Sequence, residues 1–75
     1  MFNIYDKAVL ATDIPETQLK KGDVGTIVMV HEGGKGYEVE FFALDGSTLA
    51  VETVMLSQIR EVRRTEIYHV RDIAA

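Results

Sequence analysis

Five short apolar segments separated by turns constrain the fold of this chain more than any other feature. They begin at Ala8, Val24, Tyr37, Thr48 and Ile59. Each is too short for a typical helix, and residues 24–31 are rich in β-branched side chains that favour strands. Tyr37, Val39 and Phe41 alternate with two glutamates, as in a strand with one solvated face. The pattern predicts an all-β domain with these three side chains in its core.

The connections between the segments narrow the architecture further. A proline ends the first segment and a long polar loop follows, in which Leu19 is expected to plug one end of the core. A glycine-rich turn at residues 33–36, an Asp-Gly hairpin signal and a connection of a single turn separate the later segments. This order predicts a small five-stranded SH3-like barrel over residues 1–63 with a C-terminal tail over residues 64–75.

The composition of the chain bounds its class and its location. A length of 75 residues fits one domain with a modest core. The chain contains no cysteine, which favours a reducing compartment, and no apolar run approaches the roughly 20 residues that span a bilayer. We therefore expect a cytoplasmic protein with no membrane partner.

Charge argues against nucleic acid as the first choice of partner. The formal net charge is −4, whereas sequence-independent phosphate binding requires an excess of lysine and arginine. The charge is uneven, because residues 1–59 carry −5 and residues 60–75 carry +1. A KOW-like nucleic-acid-binding barrel that uses Lys20, Lys21 and Lys35 is the alternative function.

Four motifs carry a resemblance to a known family. They are D-K-A-V-L-A-T-D-I-P-E at residues 6–16, K-K-G-D-V-G-T at 20–26, Y-E-V-E-F at 37–41 and D-G-S-T at 45–48. In this order they resemble a family of small bacterial proteins known only as a domain of unknown function, over roughly residues 5–62. The resemblance implies an SH3-like barrel and defines no catalytic residue.

No combination of residues in the sequence indicates catalysis. His31 and His69 are far apart and lack the spacing of metal ligands. The glycine turn lacks the Gly-Lys-Ser/Thr sequence of a phosphate-binding loop. We therefore expect a protein that is not an enzyme and that has no cofactor and no metal.

The C-terminal tail suggests a contact with another protein. Its apolar residues either cover the open end of the barrel or bind a sheet edge or groove of another chain, including a second copy in a homodimer. Strand alternation also places two apolar side chains from the end of the third strand on the outer face. The predicted partner-binding surface consists of Phe42, Leu44, Arg63, Arg64, Ile67, Tyr68, Val70 and Arg71. The predicted function is a small non-catalytic interaction module that accompanies or regulates a larger bacterial protein.

Overall fold

Within residues 1–74, which the computed structural model describes, five antiparallel strands form one sheet. The strands are β1 (Lys7–Leu10), β2 (Val24–Val30), β3 (Tyr37–Phe42), β4 (Thr48–Val54) and β5 (Ile59–Arg60). Short 3-10 turns at Glu32–Gly34 and Leu56–Gln58 connect β2 to β3 and β4 to β5. The strand order is β4-β3-β2-β1-β5. The prediction of a five-stranded all-β fold is confirmed.

The core lies on one face of this sheet, and the sheet itself has to cover it. Ile27, Tyr37 and Val39 are 0 % exposed, although no α-helix is present among residues 1–74 to form a second layer. One core cluster takes side chains from all five strands, so the sheet must curl strongly around it. This curvature agrees with the predicted barrel. Closure remains a prediction, because the hydrogen-bonded order of the described strands leaves β4 and β5 at its two ends.

Residues outside the strands close the ends of the core. Leu19, in the long loop before β2, is buried in the core cluster, as its isolated position in a polar segment predicted. Phe2 packs edge-on against Tyr37, with ring centroids 5.6 Å apart. Such a geometry is favourable for two aromatic rings, and it fixes the N-terminus to β3.

The outer face of the sheet keeps several apolar side chains exposed. Phe42 is 44 % exposed, even though the pairing of β3 with β4 shifts register between Phe41 and Phe42. The irregularity therefore does not turn Phe42 into the core, and its predicted outward position is confirmed. Leu49 and Val51 of β4 are also exposed, whereas Val54 of the same strand belongs to the core.

The last strand is shorter than its apolar pattern predicted. The sequence favoured a strand over residues 59–63, but β5 ends at Arg60. The backbone N–H of Arg63 donates to the Glu66 carboxylate at 2.7 Å, and the N–H of Glu66 donates to the Arg63 carbonyl at 3.0 Å. These hydrogen bonds form a turn at which the tail begins.

Candidate functional site

Arg71 anchors the C-terminal tail to the body of the domain. Its Nη2 and Nε atoms donate to the two carboxylate oxygens of Asp23 at 2.5 and 2.9 Å. Nη2 also donates to the backbone carbonyl of Gln18 at 2.7 Å. These hydrogen bonds to charged groups are stronger than neutral ones, and they connect the tail to the loop that precedes β2.

A second ion pair anchors the start of the tail. Arg60 of β5 makes two hydrogen bonds to the Glu66 carboxylate, at 2.6 and 3.0 Å. Hydrogen bonds from the Arg60 side chain and the Arg63 backbone lower the pKa of Glu66 to about 2. The carboxylate of Glu66 is therefore ionised at neutral pH, and it accepts the Arg63 N–H that closes the turn after β5.

Two opposing effects act on the pKa of the Asp23 carboxyl, and their sum favours the ionised form. Partial burial alone would raise its pKa, but hydrogen bonds from the Arg71 side chain and the Lys20 backbone outweigh that effect and lower it. The Lys20 N–H donates to Asp23 at 2.8 Å. Asp23 therefore links two parts of the chain, because it closes the turn before β2 and receives Arg71.

A groove lies between the tail and the outer face of the sheet. Its volume is about 940 Å³, within the range of 300–1,000 Å³ typical of ligand sites. Its lining includes Val9, Val24 and Phe42 from the sheet and Ile67 and Tyr68 from the tail. We call it the basic groove, because of the charges that line it.

Seven of the eight lysines and arginines of the chain line the basic groove, against only two of the twelve aspartates and glutamates. The cations are Lys7, Lys20, Lys21, Arg60, Arg63, Arg64 and Arg71. The formal charge of the lining is therefore +5, while the remaining residues carry ten carboxylates and one lysine. A domain with a net charge of −4 thus concentrates its positive charge in one recess.

The residues predicted to bind a partner come together at this place. All of them except Val70 line the basic groove, and Val70 lines an adjoining recess of about 450 Å³ together with Phe42, Leu44 and Arg71. Ile67, Tyr68, Val70 and Leu44 are strongly exposed, with Tyr68 at 97 %. Arg71 differs from the others, because its guanidinium is engaged by Asp23.

The three lysines of the nucleic-acid alternative are not on one surface. Lys20 and Lys21 line the basic groove and precede β2, whereas Lys35 follows β2 and is not part of the lining. The seven residues of β2 separate the two ends of the strand by roughly 20 Å. Carboxylates also lie beside the first pair, since Lys21 N–H donates to Asp13 at 2.8 Å.

Sequence reasoning missed four of the charged residues at this site. Lys7 of β1 and Arg60 of β5 line the groove, Asp23 accepts hydrogen bonds from Arg71, and Glu66 accepts hydrogen bonds from Arg60. Each of these residues is unremarkable within its own segment. The pairing of β5 with β1, which aligns Arg60 with Val9, brings Arg60 and Lys7 to the same groove.

The histidines do not form a site with each other. His31 Nε2 lies 2.7 Å from a Glu38 carboxylate oxygen, which also accepts a hydrogen bond from the Thr53 hydroxyl at 2.7 Å. Both hydrogen bonds lower the pKa of Glu38. His69 lies in the tail and lines the basic groove. No group of three or more potential metal ligands occurs among residues 1–74.

The fold and the groove define a small all-β domain with an exposed apolar tail and one basic recess. Residues 4–61 match the sequence model of DUF4926, a domain of unknown function, and the chain belongs to that family. This result confirms the resemblance to a family of unknown function. Comparison with curated proteins and with solved structures gave no match. Residues 1–74 contain no helix that could span a lipid bilayer.

Proposed function

We propose that the protein is a small non-catalytic interaction module, an accessory or regulatory partner of a larger bacterial protein in the cytoplasm. The observation that carries this proposal is the exposure of Ile67, Tyr68 and Val70 on a tail that is fixed in place by ion pairs. Together with Phe42 and Leu44 they form an apolar surface along the two recesses. Contiguous exposed apolar surface of this kind marks interaction sites on soluble proteins.

The way the tail is held supports a contact role for its apolar side chains. Arg71 and Glu66 supply the anchoring hydrogen bonds, so docking of the tail does not require the apolar residues to be buried. Tyr68 lies between these two anchors in the sequence and stays exposed. Because the tail is already held in place, a partner that covers Tyr68 does not have to order the segment, and this lowers the entropic cost of binding.

A paired substitution tests the proposal. Tyr68→Ala combined with Val70→Ala should weaken binding of the partner recovered by tagged pull-down from the native lysate, or self-association measured by sedimentation. The thermal midpoint should stay close to that of the unmodified protein, because both side chains are exposed. Tyr5→Ala combined with Val51→Ala is the matched control, since Tyr5 and Val51 are also exposed but line neither recess. Unchanged association in the first variant would contradict the proposal.

Nucleic acid is the less favoured partner, although the concentration of cations in the basic groove favours it more than the sequence alone did. Lys20 and Lys21 share the groove with four arginines. The acidic remainder of the surface opposes a long polyanion, and Lys35 lies at the other end of β2. Nuclease treatment of the pull-down distinguishes a protein partner from nucleic acid, because only a protein partner is retained after the treatment. Nucleic-acid binding would also fall steeply as salt rises.

A further inference from the structure

We propose that the basic groove binds an extended, acidic segment of a protein that also carries apolar side chains. This inference rests on the proposed function and specifies the partner of that surface. Two observations carry it, the charge that remains unpaired in the groove and the apolar floor beneath that charge. The residues that supply the charge and the residues that form the apolar floor come from distant parts of the sequence.

Five cations of the groove remain available to a partner. Glu66 pairs with Arg60 and Asp23 with Arg71, whereas no ion pair within residues 1–74 engages Lys7, Lys20, Lys21, Arg63 or Arg64. The only side-chain hydrogen bond of Lys7 among these residues goes to the neutral hydroxyl of Thr26, at 2.9 Å. The unpaired charge of the groove is therefore positive, and its complement is a segment rich in carboxylates.

The floor of the groove is apolar. Val9 is buried but does not belong to the core cluster, because it lies on the other face of β1 from Ala8 and Leu10. Val24 and Phe42 beside it are about half exposed. A purely electrostatic ligand would leave Val24 and Phe42 partly in water. A segment with leucine or phenylalanine among its carboxylates would cover them and gain roughly 25 cal/mol for each Å² of apolar surface removed from water.

The distribution of charge favours a short acidic protein segment over nucleic acid. Outside the groove the chain carries ten carboxylates and one lysine. A polyanion that extends past the groove meets this acidic surface, whereas a protein segment of about ten residues, roughly 33 Å when extended, can place its carboxylates only where it lies in the groove. Screening over about 8 Å at physiological salt makes the local charge of the groove decisive for such a short ligand.

Titration of the isotope-labelled protein with synthetic peptides, followed by amide chemical shifts, tests this proposal. The probe is a peptide of about ten residues, a length set by the extended spacing of a strand, with aspartate and glutamate at most positions and three leucine or phenylalanine residues. Its controls replace the carboxylates by lysine, or the apolar residues by serine. An oligothymidylate of equal length is the nucleic-acid control. We expect the acidic apolar peptide to shift the groove amides and to bind more tightly than the three controls.

Two variants show whether the groove charge is responsible. Arg63→Gln combined with Arg64→Gln should raise the Kd for the acidic apolar peptide roughly fivefold or more. Lys35→Gln removes one charge outside the groove and should leave the Kd unchanged. The proposal is overturned if the peptide causes no shifts, if the lysine peptide binds equally well, or if the oligothymidylate binds more tightly. Loss of the lysate partner in Tyr68→Ala/Val70→Ala, but not in Arg63→Gln/Arg64→Gln, would refute the acidic segment and leave the interaction module standing.

Discussion

Removal of the Arg71 guanidinium should release the end of the tail. In Arg71→Gln the two hydrogen bonds to Asp23 and the bond to the Gln18 carbonyl are lost. The side chains of Arg71 and Asp23 are 35 % and 20 % exposed, so the pair is partly shielded from solvent. Fully exposed ion pairs contribute about 0.2–1 kcal/mol, and hydrogen bonds to charged groups contribute about 1.5–3 kcal/mol; the Arg71–Asp23 pair should lie between these two cases. We therefore expect a cost of about 1–2 kcal/mol, or roughly 5–30-fold in the docking equilibrium of the tail.

Backbone dynamics and thermal unfolding measure this effect. Heteronuclear NOE values over residues 67–74 should fall in Arg71→Gln and stay unchanged in Lys35→Gln, which also removes one positive charge. A double-mutant cycle with Asp23→Asn should give a coupling of about 1 kcal/mol, equivalent to roughly 4–8 °C in Tm for a domain of this size. The cycle is needed because Asp23 also holds the turn at Lys20. Unchanged NOE values in Arg71→Gln would refute the assignment of Arg71 as the anchor.

Three further perturbations test the fold and the electrostatics. Gly25→Ala should destabilise the domain by about 1–3 kcal/mol, since its Cβ would clash with the Val39 side chain and lie 2.9 Å from Phe41 and 3.0 Å from the Glu40 carbonyl. In denaturant titration Gly36→Ala, whose Cβ would meet the His31 ring at 3.3 Å, should cost less. Tyr37→Phe should change stability by less than about 1 kcal/mol, because within residues 1–74 its hydroxyl makes a single hydrogen bond, to the Met1 sulfur at 3.5 Å. A larger loss in the same titration would show that this hydrogen bond matters. The pKa of Glu66 is lowered from 4.5 to about 2, so its stabilisation of the tail should be complete above pH 4.5 and disappear as pH falls towards 2. An NMR pH titration of the residue 63–66 amides measures this change, and a midpoint near 4.5 would contradict the Arg60–Glu66 pair.

Local pattern was sufficient to predict most of the fold. The alternation of Tyr37, Val39 and Phe41 with glutamates identified the core face of β3, and the isolated Leu19 identified a plug of the core. The pattern failed where hydrogen bonds made by side chains end a strand. Residues 61–63 look like a continuation of β5, but the Glu66 carboxylate binds the Arg63 N–H, and the chain turns instead.

The site was predictable as a set of residues but not as an arrangement. Exposure of Phe42 follows from strand alternation, and the apolar tail was visible as a segment with too many large side chains for a solvated terminus. The partners of the tail were not visible, because Asp23 and Arg71 are 48 residues apart and each is an ordinary charged residue in its own segment. The sequence pointed to the tail arginines and, for the nucleic-acid alternative, to Lys20 and Lys21, but nothing in it placed Lys7 and Arg60 on the same groove.

The two ion pairs explain why an acidic chain can maintain a basic groove. Seven cations in one recess repel each other, and the two carboxylates that the groove does contain are each bound to an arginine. Those two pairs also fix the tail, so the tail wall of the groove depends on the same carboxylates that reduce its charge. A change at Asp23 should therefore act on binding in two opposite ways, since it adds positive charge to the groove and loosens the wall formed by Ile67 and Tyr68. If the wall matters more than the charge, Asp23→Asn should weaken binding of the acidic apolar peptide while leaving the serine-substituted peptide unaffected or more tightly bound. Tighter binding of both peptides would show that the charge alone recruits the ligand.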